Sequence, residues 1–246
     1  MFDSRVEVGQ TALVTGASSG IGAQLALDLA SLGFRVVAVA RRQERLEALA
    51  ASAKAKGFEM IVIPTDVTDA TQAQFAVREA VRITGRLDVV INNAGTGIIG
   101  PALGSNLDDW DRMVQLNVMG VLNVTHAALP IMVEQNKGHL VAISSAAGRL
   151  VHARNGVYAA TKHAVGAFYE SLRLELGPQG IRTTLIEPGM VRGTEIIEHT
   201  SHRESRVSLA LQAANMAMEP EDISTAVIFA ISQPQRVTIA EMLITN

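Results

Sequence analysis

The chain has 246 residues and a mass of 26.1 kDa, and with 48% hydrophobic residues and a mean hydropathy of +0.23 it can build one large α/β domain or two small ones, which excludes intrinsic disorder. With 21 basic and 24 acidic side chains the formal charge is −3 and no run of five like charges occurs, so the electrostatic footprint of a nucleic-acid binder is missing. The absence of cysteine excludes disulfides, thiolate nucleophiles and cysteine-ligated metal, and is compatible with a reducing compartment.

In chain order, the first ten residues carry Asp3, Arg5 and Glu7 in place of an apolar leader. No run approaches the ~20 apolar residues of a membrane span, so a cytoplasmic protein without membrane attachment is expected. Runs rich in Val and Ile at 11–15, 35–40, 60–64, 87–92, 139–144 and 183–187 predict strands. Helical spacing marks 21–32, 43–56, 70–84, 107–134 and 157–176, with Asp69, Asn106 and Asn155 as N-caps. Alternating strands and helices predict an α/β fold, a doubly wound and mostly parallel sheet with helices on both faces. No linker or repeat interrupts 1–246, which is expected to be a single domain. The polar, irregular stretch 190–215 is expected to be a lid or a disordered loop.

In such a sheet, ligands bind beyond the carboxyl ends of the strands. The residues that follow the six predicted strands are Gly16, Arg41 with Arg42, Asp66, Asn93 with Ala94 and Gly95, Ser145, and Pro188 with Gly189. Turns collect such residue types in any protein, but six distinctive clusters on one edge point to a site. The first is Thr15-Gly16-Ala17-Ser18-Ser19-Gly20-Ile21-Gly22, between a strand and a helix, where glycines allow close approach of a diphosphate to a helix N-terminus. No Gly-Lys-Ser/Thr follows at the spacing of a nucleoside-triphosphate loop. About 20 residues further on, a carboxylate would suit a free ribose 2′-hydroxyl, whereas Arg41 and Arg42 suit a 2′-phosphate. The cofactor is therefore expected to be NADP(H), held chiefly by Arg41.

Tyr158 and Lys162 stand at i and i+4 on one helix face. An ammonium ~4 Å from a phenol favours the phenolate by roughly 4 kcal/mol, which predicts a tyrosine whose proton exchanges near neutrality.

Taken together, these residues resemble the short-chain dehydrogenases/reductases, in the branch of single-domain enzymes of about this length. The likeness covers nearly the whole chain. It rests on TGASSGIG at 15–22, Asp66 in DVTD, NNAG at 92–95, Asn117, Ser145 thirteen residues before Tyr158, YAATK at 158–162 and PG at 188–189. The resemblance implies a Rossmann-type fold and a catalytic tetrad of Asn117, Ser145, Tyr158 and Lys162. Ser145 would donate to the substrate oxygen and Tyr158 would carry its proton. Lys162 would lower the phenol and hold the nicotinamide ribose, and Asn117 would anchor a water that relays protons to Lys162. It further implies that Asp66 and Val67 contact adenine, Asn93, Ala94 and Gly95 the ribose side, and Pro188, Gly189, Val191 and Thr194 the nicotinamide amide.

Members usually carry a threonine four residues after the glycine of PG, where this chain has Gly193 with Thr194 next. The tail 235–246 lacks the glycine-rich loop of fatty-acid 3-ketoacyl reductases and, with Ile239, Glu241 and Leu243, is more similar to NADP-dependent alcohol and hydroxy-acid dehydrogenases. The expected function is an NADP(H)-dependent oxidoreductase interconverting a secondary alcohol and a ketone or aldehyde. The alternatives are a 3-ketoacyl-thioester reductase and a non-catalytic NADP(H)-binding regulatory protein. His152 or Arg154, in the family's substrate wall, is expected to meet a polar substrate group, with an exposed turn as the alternative. His126, His139, His163, His199 and His202 show no metal-ligand spacing, and no metal is expected. The apolar surfaces of 107–134 and 157–176 predict a homodimer or homotetramer, the pairing that relatives use.

Overall fold

A computed structural model describes residues 8–246; the charged positions Asp3, Arg5 and Glu7 lie outside the described residues. Among the described residues, seven strands form one parallel sheet in the order β3-β2-β1-β4-β5-β6-β7. They are β1 (Thr11–Thr15), β2 (Arg35–Ala40), β3 (Met60–Pro64), β4 (Val89–Asn92), β5 (Gly138–Ile143), β6 (Ile181–Pro188) and β7 (Glu241–Ile244). The order reverses between β1 and β4, so the loops following those two strands diverge and open a crevice.

Alternation along the central strands divides the core into two layers. Ala12, Val14, Val36, Ala38 and Ile91 face one side, covered by α1 (Gly20–Ser31), α2 (Gln43–Ala55) and α9 (Pro220–Ile231) through Leu25, Leu29, Leu46, Ile223 and Val227. Leu13, Val37, Val90 and Leu140 face the other, covered by α3 (Ala70–Thr84), α5 (Gly120–Gln135) and α6 (Gly156–Leu176) through Val77, Val124, Met132, Val165 and Leu172. Each fully buried Leu among them contributes roughly 1.5–3 kcal/mol. With helices on both faces, every residue of β1, β4, β5 and β6 is buried, which explains the apolar runs in β1, β4 and β5; β6 buries Arg182, Thr183, Thr184 and Glu187 among its apolar residues.

Capping follows the expected residues at two positions. Asp69 accepts from the Thr71 and Gln72 amides at the start of α3, and Asn106 accepts from Asp108 at the start of α4 (Leu107–Val114). Asn155 stands at the N-cap of α6 but spends its side chain on the His152 amide, 3.0 Å away. α4 and α5 join through a π turn, Gln115–Met119, that carries Asn117. The joined run Leu107–Gln135 is long and apolar enough to cross a bilayer by length and composition; here Met113, Val121, Val124 and Met132 are buried in the protein interior.

Three features depart from the sequence pattern. The stretch read as an irregular lid or disordered loop folds into α7 (Ile196–His199) and α8 (Arg203–Met216). Of α8 only Ser205 and Leu209 are buried, so it shows no apolar stripe. Its cap is the His202 ring, an unconventional one, which accepts from the Ser205 amide at 3.3 Å. The helix α9 and the edge strand β7 were not among the expected elements. β7 has four residues with alternating exposure, too short for a periodic signal, and its pairing with β6 from Leu185 to Pro188 defines it.

Candidate active site

The sharp turn after β1 leaves no room for side chains. A Cβ on Gly16, whose φ is +67°, would lie 2.8 Å from the Ala94 Cα, and one on Gly22 would lie 2.4 Å from Asn93 Nδ2 and 2.5 Å from the Gly16 carbonyl. This packing lets Asn93 Nδ2 donate to the Thr15 carbonyl at 2.9 Å, while the Thr15 hydroxyl accepts from the Asn93 and Ala94 amides at 3.0 Å. Thr15 thus ties together the loops on either side of the crevice. The N-terminus of α1 has no side-chain cap at Ser19 and no acidic residue in its first turn, so its amides remain available to an anion.

A cavity of about 700 Å³ opens on this edge. Of the residues expected in the site, Gly16, Ser18, Ser19, Gly20, Ile21, Arg41, Arg42, Asp66, Val67, Asn93, Ala94, Gly95, Ser145, Tyr158, Lys162, Pro188, Gly189, Val191 and Thr194 all line it. Two do not. Gly22 is a packing residue beneath the turn, and Asn117 is buried behind the wall.

Ser145 follows β5 and heads a 3-10 turn, Ala146–Gly148, accepting from the Ala147 amide at 3.1 Å. Ser144 instead turns its hydroxyl to the Lys162 carbonyl, 3.4 Å away. Tyr158 and Lys162 share the inward face of α6, with the Lys162 ammonium 5.8 Å from the phenol ring centre and 3.0 Å from the Ile143 carbonyl to which it donates. Burial brings Lys162 down to about 8. Burial also pushes the Tyr158 phenol up, opposed by a hydrogen bond with Ser145. The expected depression of the phenol by Lys162 is therefore not the outcome: losing water costs the phenolate more than its hydrogen-bond partner returns.

Asn117 spends both amide hydrogens, on the Thr96 carbonyl at 2.8 Å and the Thr161 hydroxyl at 3.0 Å, and its oxygen accepts from the Thr96 amide at 2.8 Å. It is a brace between the loop after β4 and α6. Thr96 and Thr161, which complete the brace, carry no signature a sequence reading could use.

The far wall holds His152, Arg154, His199 and Arg112. Arg154 is held at φ +74° with its guanidinium 3.4 Å from Glu204. His199 is bonded to the Thr96 hydroxyl at 2.8 Å, which seats α7 against the loop after β4. At the end of the cavity that Arg41 and Arg42 line, Arg42 is held by Ser18, Ser19 and Glu195, the last not among the residues expected in the site. Its partners lie 153 and 150 positions away in Arg42 and Arg45, so no local pattern announces it.

The family model described as short chain dehydrogenase matches residues 10–205. Glycine betaine reductase ATRR of Emericella nidulans is 38% identical over 236 residues, covering 96% of this chain; the chain spans 18% of that protein's length. The closed form of serine dehydrogenase complexed with NADP+ superposes with a TM-score of 0.89 at 32% identity, covering 96% of this chain and 95% of the other. A short-chain dehydrogenase/reductase from Burkholderia phymatum in complex with NAD gives 0.89 at 29% identity, covering 96% and 89%.

Proposed function

The chain belongs to the short-chain dehydrogenase/reductase family, and we propose that it is an NADP(H)-dependent oxidoreductase interconverting a secondary alcohol with a ketone or aldehyde. One observation carries the reading. Ser145, Tyr158 and Lys162 line the same cavity as the glycine turn and Arg41 with Arg42, so a proton-transfer group and a dinucleotide cradle open on one cavity. The cradle fits the cofactor's chemistry, with uncapped helix amides and hydroxyls for a diphosphate and two guanidiniums for a 2′-phosphate. Among similar solved structures, three hold NADP or its 5-hydroxy derivative and one holds NAD, so the preference proposed here rests on Arg41 and Arg42.

A bound nicotinamide supplies or accepts the hydride. Ser145 donates a hydrogen bond to the substrate oxygen. In reduction Tyr158 gives that oxygen its proton, and in oxidation it takes the proton back. Lys162 sets a positive charge behind the phenol and presents its ammonium to the nicotinamide ribose, while Asn117 keeps Thr96 and α6 in register so that these groups stay aligned. Ser18, Ser19, Gly20 and Ile21 hold the diphosphate, and Asp66 and Val67 meet the adenine. Asn93, Ala94 and Gly95 line the ribose, and Pro188, Gly189, Val191 and Thr194 hold the carboxamide. Residues 1–246 work as one domain, with 190–215 over the substrate. The exposed Leu107, Val114, Met119 and Leu174 on α4, the π turn and α6 support association as a homodimer or homotetramer.

The test is NADPH oxidation by purified protein against aldehydes, ketones, diketones, sugars and ketoacyl thioesters. Turnover of a simple carbonyl compound, lowered roughly 100-fold or more in Tyr158→Phe, is the expected result. Tight NADPH binding without turnover of any carbonyl would favour a regulatory binding protein instead.

A further inference from the structure

Arg42 donates from Nε and Nη2 to the Ser18 hydroxyl at 3.1 and 2.9 Å and from Nη2 to the Ser19 hydroxyl at 3.0 Å. These are the hydroxyls of the glycine turn itself. The remaining face of the guanidinium is taken by Glu195, whose two carboxylate oxygens accept from Nη1 at 2.6 Å and Nη2 at 3.0 Å. Such a two-point carboxylate pair has the geometry by which a guanidinium grips a phosphate. Glu195 accepts also from Arg45 Nη1 at 2.9 Å. Arg41, by contrast, is largely exposed, and its one ion-pair partner among the described residues is Asp66, 3.9 Å away.

Glu195 reaches this place because the segment after β6 is anchored at both ends. Val191 bridges to Met218, and the Arg192 amide donates to the Met218 carbonyl at 2.8 Å. Beyond the glutamate, His199 and Thr200 fasten α7 to Thr96 and Ile99. The carboxylate is thus carried on a braced segment, and it lines the cavity together with Ser18, Ser19, Arg41 and Arg42.

Resting on the NADP(H) reading, we infer that Glu195 is an internal rival of the coenzyme's 2′-phosphate for Arg42 and so sets how strongly the site prefers NADP(H) over NAD(H). Three arginines and two carboxylates, Glu195 and Asp66, meet at this end of the cavity. A 2′-phosphate that engages Arg42 must displace a carboxylate or lie beside it, and either costs binding energy. A dinucleotide without that phosphate leaves the Arg42–Glu195 pair intact and incurs no such cost. Glu195 therefore lowers discrimination from the level that Arg41 and Arg42 alone would reach.

The experiment is calorimetric titration of wild-type, Glu195→Gln and Glu195→Ala protein, without substrate and at low salt, with NADP+, NAD+, 2′,5′-ADP and 5′-AMP. Both variants should bind NADP+ and 2′,5′-ADP roughly tenfold more tightly, while NAD+ and 5′-AMP change by less than about twofold. Unchanged or weaker NADP+ binding in both variants, with wild-type protein binding NADP+ normally, would overturn the inference and leave the coenzyme reading standing. Wild-type protein that bound neither dinucleotide would overturn that reading and this inference with it. Thermal melting of each variant confirms that the fold is retained.

Discussion

Replacing Lys162 by methionine should make the protein more stable at neutral pH while destroying its activity. The amine is buried, and burial moves it from its ordinary 10.5 to about 8. At about 1.4 kcal/mol per pH unit, the ammonium costs the native state about 3 kcal/mol. The sign follows from proton counting. Above 10.5 the amine is neutral in both states and contributes nothing. As pH falls from 10.5 to about 8 the unfolded chain takes up the proton and the native chain does not, so stability drops; below about 8 both are protonated and the penalty stays constant. Methionine has a similar straight shape and no charge, but it abandons the Ile143 carbonyl, a loss of about 1 kcal/mol. The net expectation is a gain of about 2 kcal/mol at pH 7, or a melting temperature higher by roughly 4–8 °C. Melting curves of both proteins from pH 7 to 10.5 are the assay, and the advantage should hold to about pH 8, then shrink and reverse near 10.5. A variant less stable than wild type at pH 7, with a gap that does not move with pH, would refute the reasoning.

Three other substitutions probe the frame around the site. Gly22→Ala places a methyl 2.4 Å from Asn93 Nδ2 and should cost roughly 2–4 kcal/mol in urea unfolding, through overpacking and the loss of the Asn93 bond to Thr15. In Tyr169→Phe the buried Asn92 amide loses an acceptor at 2.9 Å, for a cost of about 1–2 kcal/mol at pH 7. Because burial holds that phenol up to about 12, the native state keeps a proton that the unfolded chain gives up above pH 10. Wild-type stability should therefore fall between pH 10 and 12, and that part of the fall should be absent in the variant. Arg41→Asp should weaken NADPH binding roughly 10- to 100-fold by fluorescence titration and leave NADH binding little changed; an unaltered NADPH preference would remove Arg41 from the phosphate site.

Much of this molecule is legible before folding because its signals are local. Buried strands such as β1 and β5 read as apolar runs, Asp69 and Asn106 as caps, and the edge that collects ligands follows from where those runs end. Tyr158 and Lys162 are one helical turn apart, so the spacing alone places them on one face. β7 and α8 escaped because a four-residue edge strand and a helix with two buried residues carry little periodicity of their own, whereas α9 does have Ile223, Val227, Ala230 and Ile231 at helical spacing behind Pro220 and was legible although absent from the expected elements.

What the order of residues could not decide is which groups end up competing. Position 22 reads as part of a phosphate turn, but only the packed Asn93 shows it to be a spacer. Lys162 promised to lower Tyr158, yet the interior strips water from both and moves the phenol the other way. Glu195 lies far along the chain from Arg42, and their meeting depends on the pairing that brings β6 and β2 into one sheet and on the anchoring of α7. Short-range periodicity therefore dictated the scaffold and the residue types at its edge. Solvation and long-range charge pairing exist only once the chain is folded, and the tertiary structure set them.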